Sequence, residues 1–329
     1  MNAILQRYLL LALFITSVAP QKTFAMQRQP THQVTAPFVS IFYPHNNPKR
    51  YTVSQKFYID SKIDNDEYYQ MHQYLYGNTV KLVGNEACGS DGSFGYVSST
   101  DDSQFAKIMV KSEFSTPVIV CAATAQIFYD DLSPALIIPM GSLLYVQNSS
   151  DPDYFKFLDP SGSTMLISRK NVNAVEDLEQ LDEHYLRAKI IAQAKKLIGY
   201  PYQWGGLCAC EGSGFDCAGF VQTVYRSCGK KIERCVNRQF SRSKQVEPSA
   251  LRAGDLIFFY QSRQSFNKAD HVCLYEGDEM IIEASPFTGA VTKVKSEDLL
   301  GKKIIDFQNN EPISFAGVTY LISFRSLLN

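Results

Sequence analysis

Apolar residues recur at helical spacing from Glu183 onward. Leu186, Ile190, Ala194 and Leu197 fall on one stripe, with Arg187, Lys189, Lys195 and Lys196 off it. The pattern predicts a helix whose stripe is core, with Gly199 at its C-terminal cap and Pro201 preventing continuation. A second helical pattern runs through Phe220, Val221 and Val224 to Cys228, where Gly229 can close it. Downstream the period changes. Residues 255–259, 271–275 and 279–284 predict three strands, the last two joined by a hairpin turning at Glu276-Gly277-Asp278. Residues 289–295 and 318–324 predict two more. The polar stretch 261–269, which includes Phe266, reads as a surface loop beside them.

Upstream, the pattern is β-rich. Short apolar or alternating runs at 39–43, 80–83 and 106–110 are separated by turn-rich segments. A clearer block follows, with strands predicted at 125–128, 143–147, 154–158 and 164–168 and turns at Asp130-Asp131, Asp151-Pro152 and Asp159-Pro160-Ser161-Gly162. About five short strands in about 60 residues suggest a small barrel. The acidic and polar stretch 173–182 reads as a linker. The chain therefore divides into residues 1–25, a first β domain at 26–112, a second at 113–172, the linker, and a larger domain at 183–329.

Residues 1–25 carry the pattern of an export signal. Arg7 is a short basic region, residues 8–18 form an apolar core, and Thr23-Phe24-Ala25 resembles a small-x-small cleavage site. The apolar run is well short of the roughly 20 residues a membrane span needs, so no stable membrane anchor is expected after cleavage. The formal charge is −1. Loss of residues 1–25 removes Arg7 and Lys22 and no acid, leaving about −3, with no basic run to favour nucleic acid. Eight cysteines in an exported chain raise disulfides, and Cys228 and Cys235, bracketing a short loop, are the pair expected. The spacing of Cys208, Cys210 and Cys217, with no histidine near, is not that of a zinc site, and no metal or cofactor is expected.

The chemistry concentrates at Gly214-Phe215-Asp216-Cys217-Ala218-Gly219. Asp216 suits an N-cap, which puts Cys217 in the first helical turn. There, free N–H groups and the helix dipole stabilise a thiolate, the reactive form. A buried structural cysteine is the alternative, and the helix-start setting favours the nucleophile. His271 is the only histidine downstream and supplies the candidate base. Glu283, across the predicted hairpin, is the candidate to orient it.

These blocks resemble the NlpC/P60 family of cell-wall cysteine peptidases. GYPYQWGG (199–206), DCAGFVQ (216–222), Arg234 with Gln239, RAGDLIFF (252–259) and DHVCLYEG (270–277) match the family in order and type. Three positions depart from its pattern: Ala218 follows the nucleophile, Cys273 replaces a glycine, and Glu283 stands where histidine, Asn or Gln is usual. The resemblance implies a papain-like α+β catalytic domain acting at the γ-D-glutamyl–diamino acid bond of peptidoglycan or muropeptide stems, in the periplasm or cell wall. It also implies support of the oxyanion by Tyr202, and contact of Asp216 with a substrate amine, a role that competes with simple N-capping. Pro139-Met140-Gly141-Ser142 and, more loosely, Leu75-Tyr76-Gly77-Asn78 resemble bacterial SH3 modules. All-β SH3-like barrels ahead of the catalytic domain would close one end of the cleft, with Phe94 and Tyr96 lining it. Asn78 stands where an acid is expected in some such relatives. The competing readings are an amidase or acyltransferase on the same scaffold, and a wall-binding protein without activity.

Overall fold

Alternating apolar positions build three antiparallel sheets, one after another along the chain. The computed structural model describes residues 32–34, 38–42, 70–76, 79–83, 86–89, 94–96, 105–107, 114–159, 162–262, 267–315 and 317–328. The export signal, Asn78 and Phe266 lie outside the described residues.

The first sheet contains β1 (His32–Val34), β2 (Phe38–Phe42), β3 (Gln70–Leu75), β4 (Thr79–Val83), β5 (Glu86–Gly89), β6 (Phe94–Tyr96) and β7 (Phe105–Lys107). Their order is β3-β2-β6-β5-β4-β1-β7. β2, β4 and β7 fall on the three predicted runs. The other four, β1, β3, β5 and β6, each pair with β2 or β4.

The second sheet contains β8 (Thr116–Val120), β9 (Thr124–Tyr129), β10 (Pro134–Pro139), β11 (Leu143–Asn148), β12 (Tyr154–Leu158), β13 (Thr164–Ser168) and β14 (Val172–Ala174), in the order β10-β9-β13-β12-β11-β8-β14. The four predicted strands are β9, β11, β12 and β13. β10 was not expected because a proline stands at each end. It lies at the sheet edge, where a missing N–H is tolerated. Val118, Val120, Ile127, Leu144, Val146, Phe157 and Ile167 fill the core of this sheet. Tyr76 from the first block joins them, its ring 6.5 Å from Phe157 in edge-to-face contact.

Residues 173–182, read from the sequence as a linker, contain the end of β14 and a short helix, α1 (Val175–Glu179). Leu178 is 1% exposed, and a Cβ on Gly229 would stand 3.0 Å from its own. This burial gives the stretch a structure that its polar composition did not announce.

Helix α2 (Glu183–Lys195) starts on Asp182, whose carboxylate accepts the Tyr185 N–H. Its stripe is core as expected, with Leu186, Ile190, Ala194 and Leu197 all buried. Each of the larger ones contributes about 1.5–3 kcal/mol relative to exposure. Arg187, expected off the stripe, is buried as well. It donates to Glu183 at 2.8 Å, to Asp255 at 2.9 Å and to the Ala253 carbonyl at 2.8 Å, tying α2 to the sheet.

The remaining elements are α3 (Cys217–Ser227), α4 (Val236–Arg242), β15 (Lys244–Gln245), β16 (Leu256–Ser262), β17 (Asn267–Gly277), β18 (Met280–Ser285), β19 (Ala290–Lys295), α5 (Ser296–Leu300), β20 (Pro312–Phe315) and β21 (Val318–Ser326). The sheet order is β15-β21-β16-β17-β18-β19, with β20 paired to β21. β16 and β17 extend into the segment read as a loop. The hairpin turn falls later than predicted, at Asp278 (φ 50°) and Glu279 (φ 60°), because Gly277 still pairs with Met280. Both central residues are left-handed, the geometry that suits a two-residue hairpin.

Both faces of this sheet are covered. Phe258, Val272, Leu274 and Ile282 pack under α2 and α3. Ile257, Phe259, Cys273 and Ile281 pack on the opposite side against Leu300, Ile304, Phe307 and Ile313. The chain after β19 therefore covers the second face.

The cysteine expectation needs correction. Cys228 and Cys235 are both free. Cys228 is buried in the core at the end of α3, whereas Cys235 is exposed at the start of α4. Among the described residues no helix is long and apolar enough to cross a membrane.

Candidate active site

The start of α3 is fixed by one carboxylate. Asp216 Oδ1 accepts the Gly219 N–H at 2.6 Å and Arg234 Nη1 at 2.9 Å. Its Oδ2 accepts the Gly205 N–H at 2.9 Å and Arg234 Nη2 at 2.5 Å. N-cap, glycine loop and the segment after α3 thus meet on Asp216. The loop approaches α3 so closely that a Cβ on Gly219 would lie 2.1 Å from the Gly206 carbonyl oxygen. Gln239, fully buried, donates to the Ala218 carbonyl at 3.0 Å and the Glu233 carbonyl at 2.7 Å, holding α4 against α3.

Cys217, half-buried, opens α3 and interacts with the His271 imidazole. The histidine stands on β17, opposite Phe259 on β16. Between His271 and Ala269 the register slips by one residue at Asp270. This bulge sends Ala269 to the face under α3 while His271 shares the opposite face with Cys273, an adjustment of aim that bulges make beside sites. His271 Nε2 lies 2.6 Å from Glu283 Oε2 on β18. Leu274 pairs with Ile282, so Cys273 stands opposite Glu283 and His271 is its diagonal neighbour. Cys273 donates its S–H to the same Glu283 Oε2 at 3.4 Å.

His271, Cys273 and Glu283 are 6%, 0% and 2% exposed. Burial alone would lower the imidazole pKa, but the interaction with the Cys217 sulfur holds it well above the ordinary histidine value. Burial and the Glu283 carboxylate push the Cys273 thiol up to about 12, so it remains a donor.

His271, Cys273 and Glu283 are also the one cluster of metal-type donors found among the described residues, all three donor atoms lying within 4.8 Å of one another. The 2.6 Å nitrogen–oxygen separation is that of a hydrogen bond. A zinc ion about 2.0–2.1 Å from each would need those atoms further apart. The arrangement suits a shared proton rather than a cation.

Tyr202 bridges to Phe215, two residues before the candidate nucleophile, and its N–H donates to the Gly289 carbonyl at 2.8 Å. Phe94 and Tyr96 lie on β6, but their side chains fall outside the described residues. The first block reaches the site region through Gln73, which is fully buried. Gln73 accepts the Leu207 N–H at 2.8 Å, and its amide nitrogen donates to Ser213 Oγ at 2.8 Å. Leu75 packs with Leu207, Cys208 and Cys210. Sequence reasoning missed Gln73 because its partners are 134 and 140 residues away.

Residues 199–307 match the NlpC/P60 family. The chain is similar to the gamma-DL-glutamyl hydrolase of Bacillus subtilis, 32% identical over 102 residues, which are 31% of this chain and 24% of the relative. It is 38% identical over 95 residues to a gamma-D-glutamyl-L-lysine dipeptidyl-peptidase of Bacillus cereus, covering 29% of this chain and 27% of the relative. Over 115 residues it is 31% identical to the peptidoglycan endopeptidase RipA of Mycolicibacterium smegmatis, covering 32% and 22%. The alignments to these three thus span about a quarter of each relative's length. In three dimensions the chain resembles the crystal structure of an NlpC/P60 family protein from Bacillus cereus, with a TM-score of 0.67 at 20% identity, covering 91% of this chain and all of the other. The fold of the C-terminal domain is therefore that of an NlpC/P60 catalytic domain.

Proposed function

We propose that this protein is an exported cysteine peptidase that hydrolyses peptidoglycan stem peptides at the γ-D-glutamyl–diamino acid bond. The observation that carries the reading is the buried His271–Glu283 contact at 2.6 Å, with Cys217 at the start of α3 interacting with the same imidazole. Nucleophile, base and orienting acceptor then stand in the relation that acyl transfer requires. The names of the relatives point to the substrate class.

In the proposed cycle, His271 takes the Cys217 proton and the thiolate attacks the glutamyl carbonyl. The tetrahedral oxyanion is held by the Cys217 N–H with help from Tyr202. The C–N bond breaks as His271 passes the proton to the leaving amine. Water, deprotonated by the same imidazole, then cleaves the thioester and restores the thiol. Glu283 keeps the ring in one tautomer and stabilises its charged form. Asp216 acts as N-cap and anchor. Four donors already occupy its oxygens, which supports the structural role over contact with a substrate amine.

The domain division at 26–112, 113–172 and 183–329 belongs to the same proposal, with the two front blocks as SH3-like modules. The buried Gln73 contacts support a front module that bears on the cleft, where Phe94 and Tyr96 would line one end. The decisive experiment incubates the protein lacking residues 1–25 with purified muropeptides and weighs the products. Scission between the glutamyl and diamino-acid residues, lost in Cys217→Ala, is the expected result. Release of the whole stem would show an amidase, and unchanged muropeptides would show a binding protein.

A further inference from the structure

The hairpin of β20 and β21 lies beyond the stretch matched to the family, and it brings an aromatic ring onto the histidine. Phe315 and His271 are stacked, with ring centroids 5.3 Å apart and planes 19° apart. Phe315 is also stacked on Phe259 at 4.6 Å, and Phe259 is the cross-strand neighbour of His271, tilted against it at 5.5 Å. On its outer side Phe315 meets Phe287 edge-on at 5.4 Å, and Phe287 is 56% exposed. Phe315 therefore stands between the imidazole and the surface.

We propose that Phe315 is a positioning residue for His271. Its ring face fixes the plane in which the imidazole presents one nitrogen to Glu283 and the ring to Cys217, and it favours the protonated ring over the neutral one. Two physical effects act together. A flat partner on the imidazole face restricts the side-chain torsion that would break the 2.6 Å contact to Glu283. The negative quadrupole of a phenyl face attracts a cation within about 6 Å of its centroid, most strongly where water is excluded. The other groups that face the histidine are Cys217 on α3, Glu283 on β18, Cys273 on its own strand, and Tyr320 on β21. Asp270, the preceding residue, is paired with Lys268 at 2.9 Å. Phe315 adds stabilisation of the charged ring without adding a charge.

The proposal rests on the peptidase reading only for its kinetic test. The direct test is an NMR titration of ring-labelled histidine in the full chain, with the His271 signal assigned by its absence from His271→Ala. Phe315→Leu keeps apolar bulk and removes the ring face. It should lower the His271 midpoint by about half to one unit, the size of a partly desolvated cation–aromatic contact. Phe315→Tyr retains the face and should keep the midpoint near that of the parent. Phe315→Met serves in place of Leu if that variant does not fold. With a muropeptide substrate, the alkaline limb of kcat/KM should shift by the same amount. An unmoved midpoint in the Leu and Met variants, or equal displacement by Leu and Tyr, overturns the proposal. Failure to cleave muropeptides would leave the titration result standing and refute only the substrate reading.

Discussion

Replacing Glu283 by Gln isolates the contribution of one buried charge. The native contact joins His271 Nε2 to Glu283 Oε2 at 2.6 Å, with both side chains almost wholly buried. A hydrogen bond to a charged partner contributes about 1.5–3 kcal/mol, against about 0.5–1.5 kcal/mol for a neutral one. Glu283→Gln preserves an acceptor and loses the charge, so the protonated imidazole loses about 1–1.5 kcal/mol. At about 1.36 kcal/mol per pKa unit, that is a fall of about one unit. The thiolate–imidazolium pair requires a protonated ring, so the alkaline limb of the rate profile should move to lower pH by about one unit. Activity below that limb should largely remain. Glu283→Ala removes the acceptor altogether and leaves Nε2 facing an unfilled site, and kcat should fall on the order of a hundredfold. The sign for stability follows from the same histidine. Its folded pKa is raised, so its contribution is complete below the unfolded value of 6.5 and is lost as pH rises through the folded value. Denaturation midpoints measured across that range should therefore show a decline with pH in the parent that is reduced in Glu283→Gln. The assays are stopped-time muropeptide hydrolysis and urea unfolding at each pH. A Glu283→Ala enzyme with a near-normal rate and an unmoved profile would reduce the site to Cys217 and His271 alone.

Other outcomes follow from the geometry around the nucleophile. Asp216→Asn sets an amide against four donors and removes the negative charge that Arg234, 11% exposed in its side chain, meets at this position. Urea unfolding should show a loss on the order of 3 kcal/mol, and no loss would contradict the anchor role. Gly219→Ala in an ordinary helix would stabilise by about 1 kcal/mol. Here the added Cβ meets the Gly206 oxygen at 2.1 Å, so the melting temperature and kcat should both fall, and a more stable, fully active variant would refute the close approach. Iodoacetamide added to the folded protein at mildly acidic pH should label Cys217 and abolish activity while leaving Cys273 intact, since that thiol is buried and its pKa is pushed up to about 12. Peptide mapping that finds Cys273 modified first would reverse the assignment.

Local chemistry accounts for what could be read from the chain. The stripe of α2, the N-cap and first turn of α3, and the alternation that marks β17 and β18 are encoded within a few residues of one another. Period and capping rules read them directly. Glu283 was found because a hairpin makes sequence separation nearly local, twelve positions collapsing into one diagonal pair. The linker at 173–182 misled because a single buried leucine, Leu178, decides its structure, and one residue makes no pattern. The predicted turn was early because the register of β17 on β18, rather than the glycine, sets where the chain reverses. What only the tertiary structure decided is the company each group keeps. Arg234 reaches Asp216 across 18 positions, Gln73 reaches Ser213 across 140, and Phe315 meets His271 only because β20 and β21 fold back over the second face of the sheet. Such contacts arise from the packing of elements already formed. No periodicity records them, because the sequence specifies each face and the fold determines which faces meet.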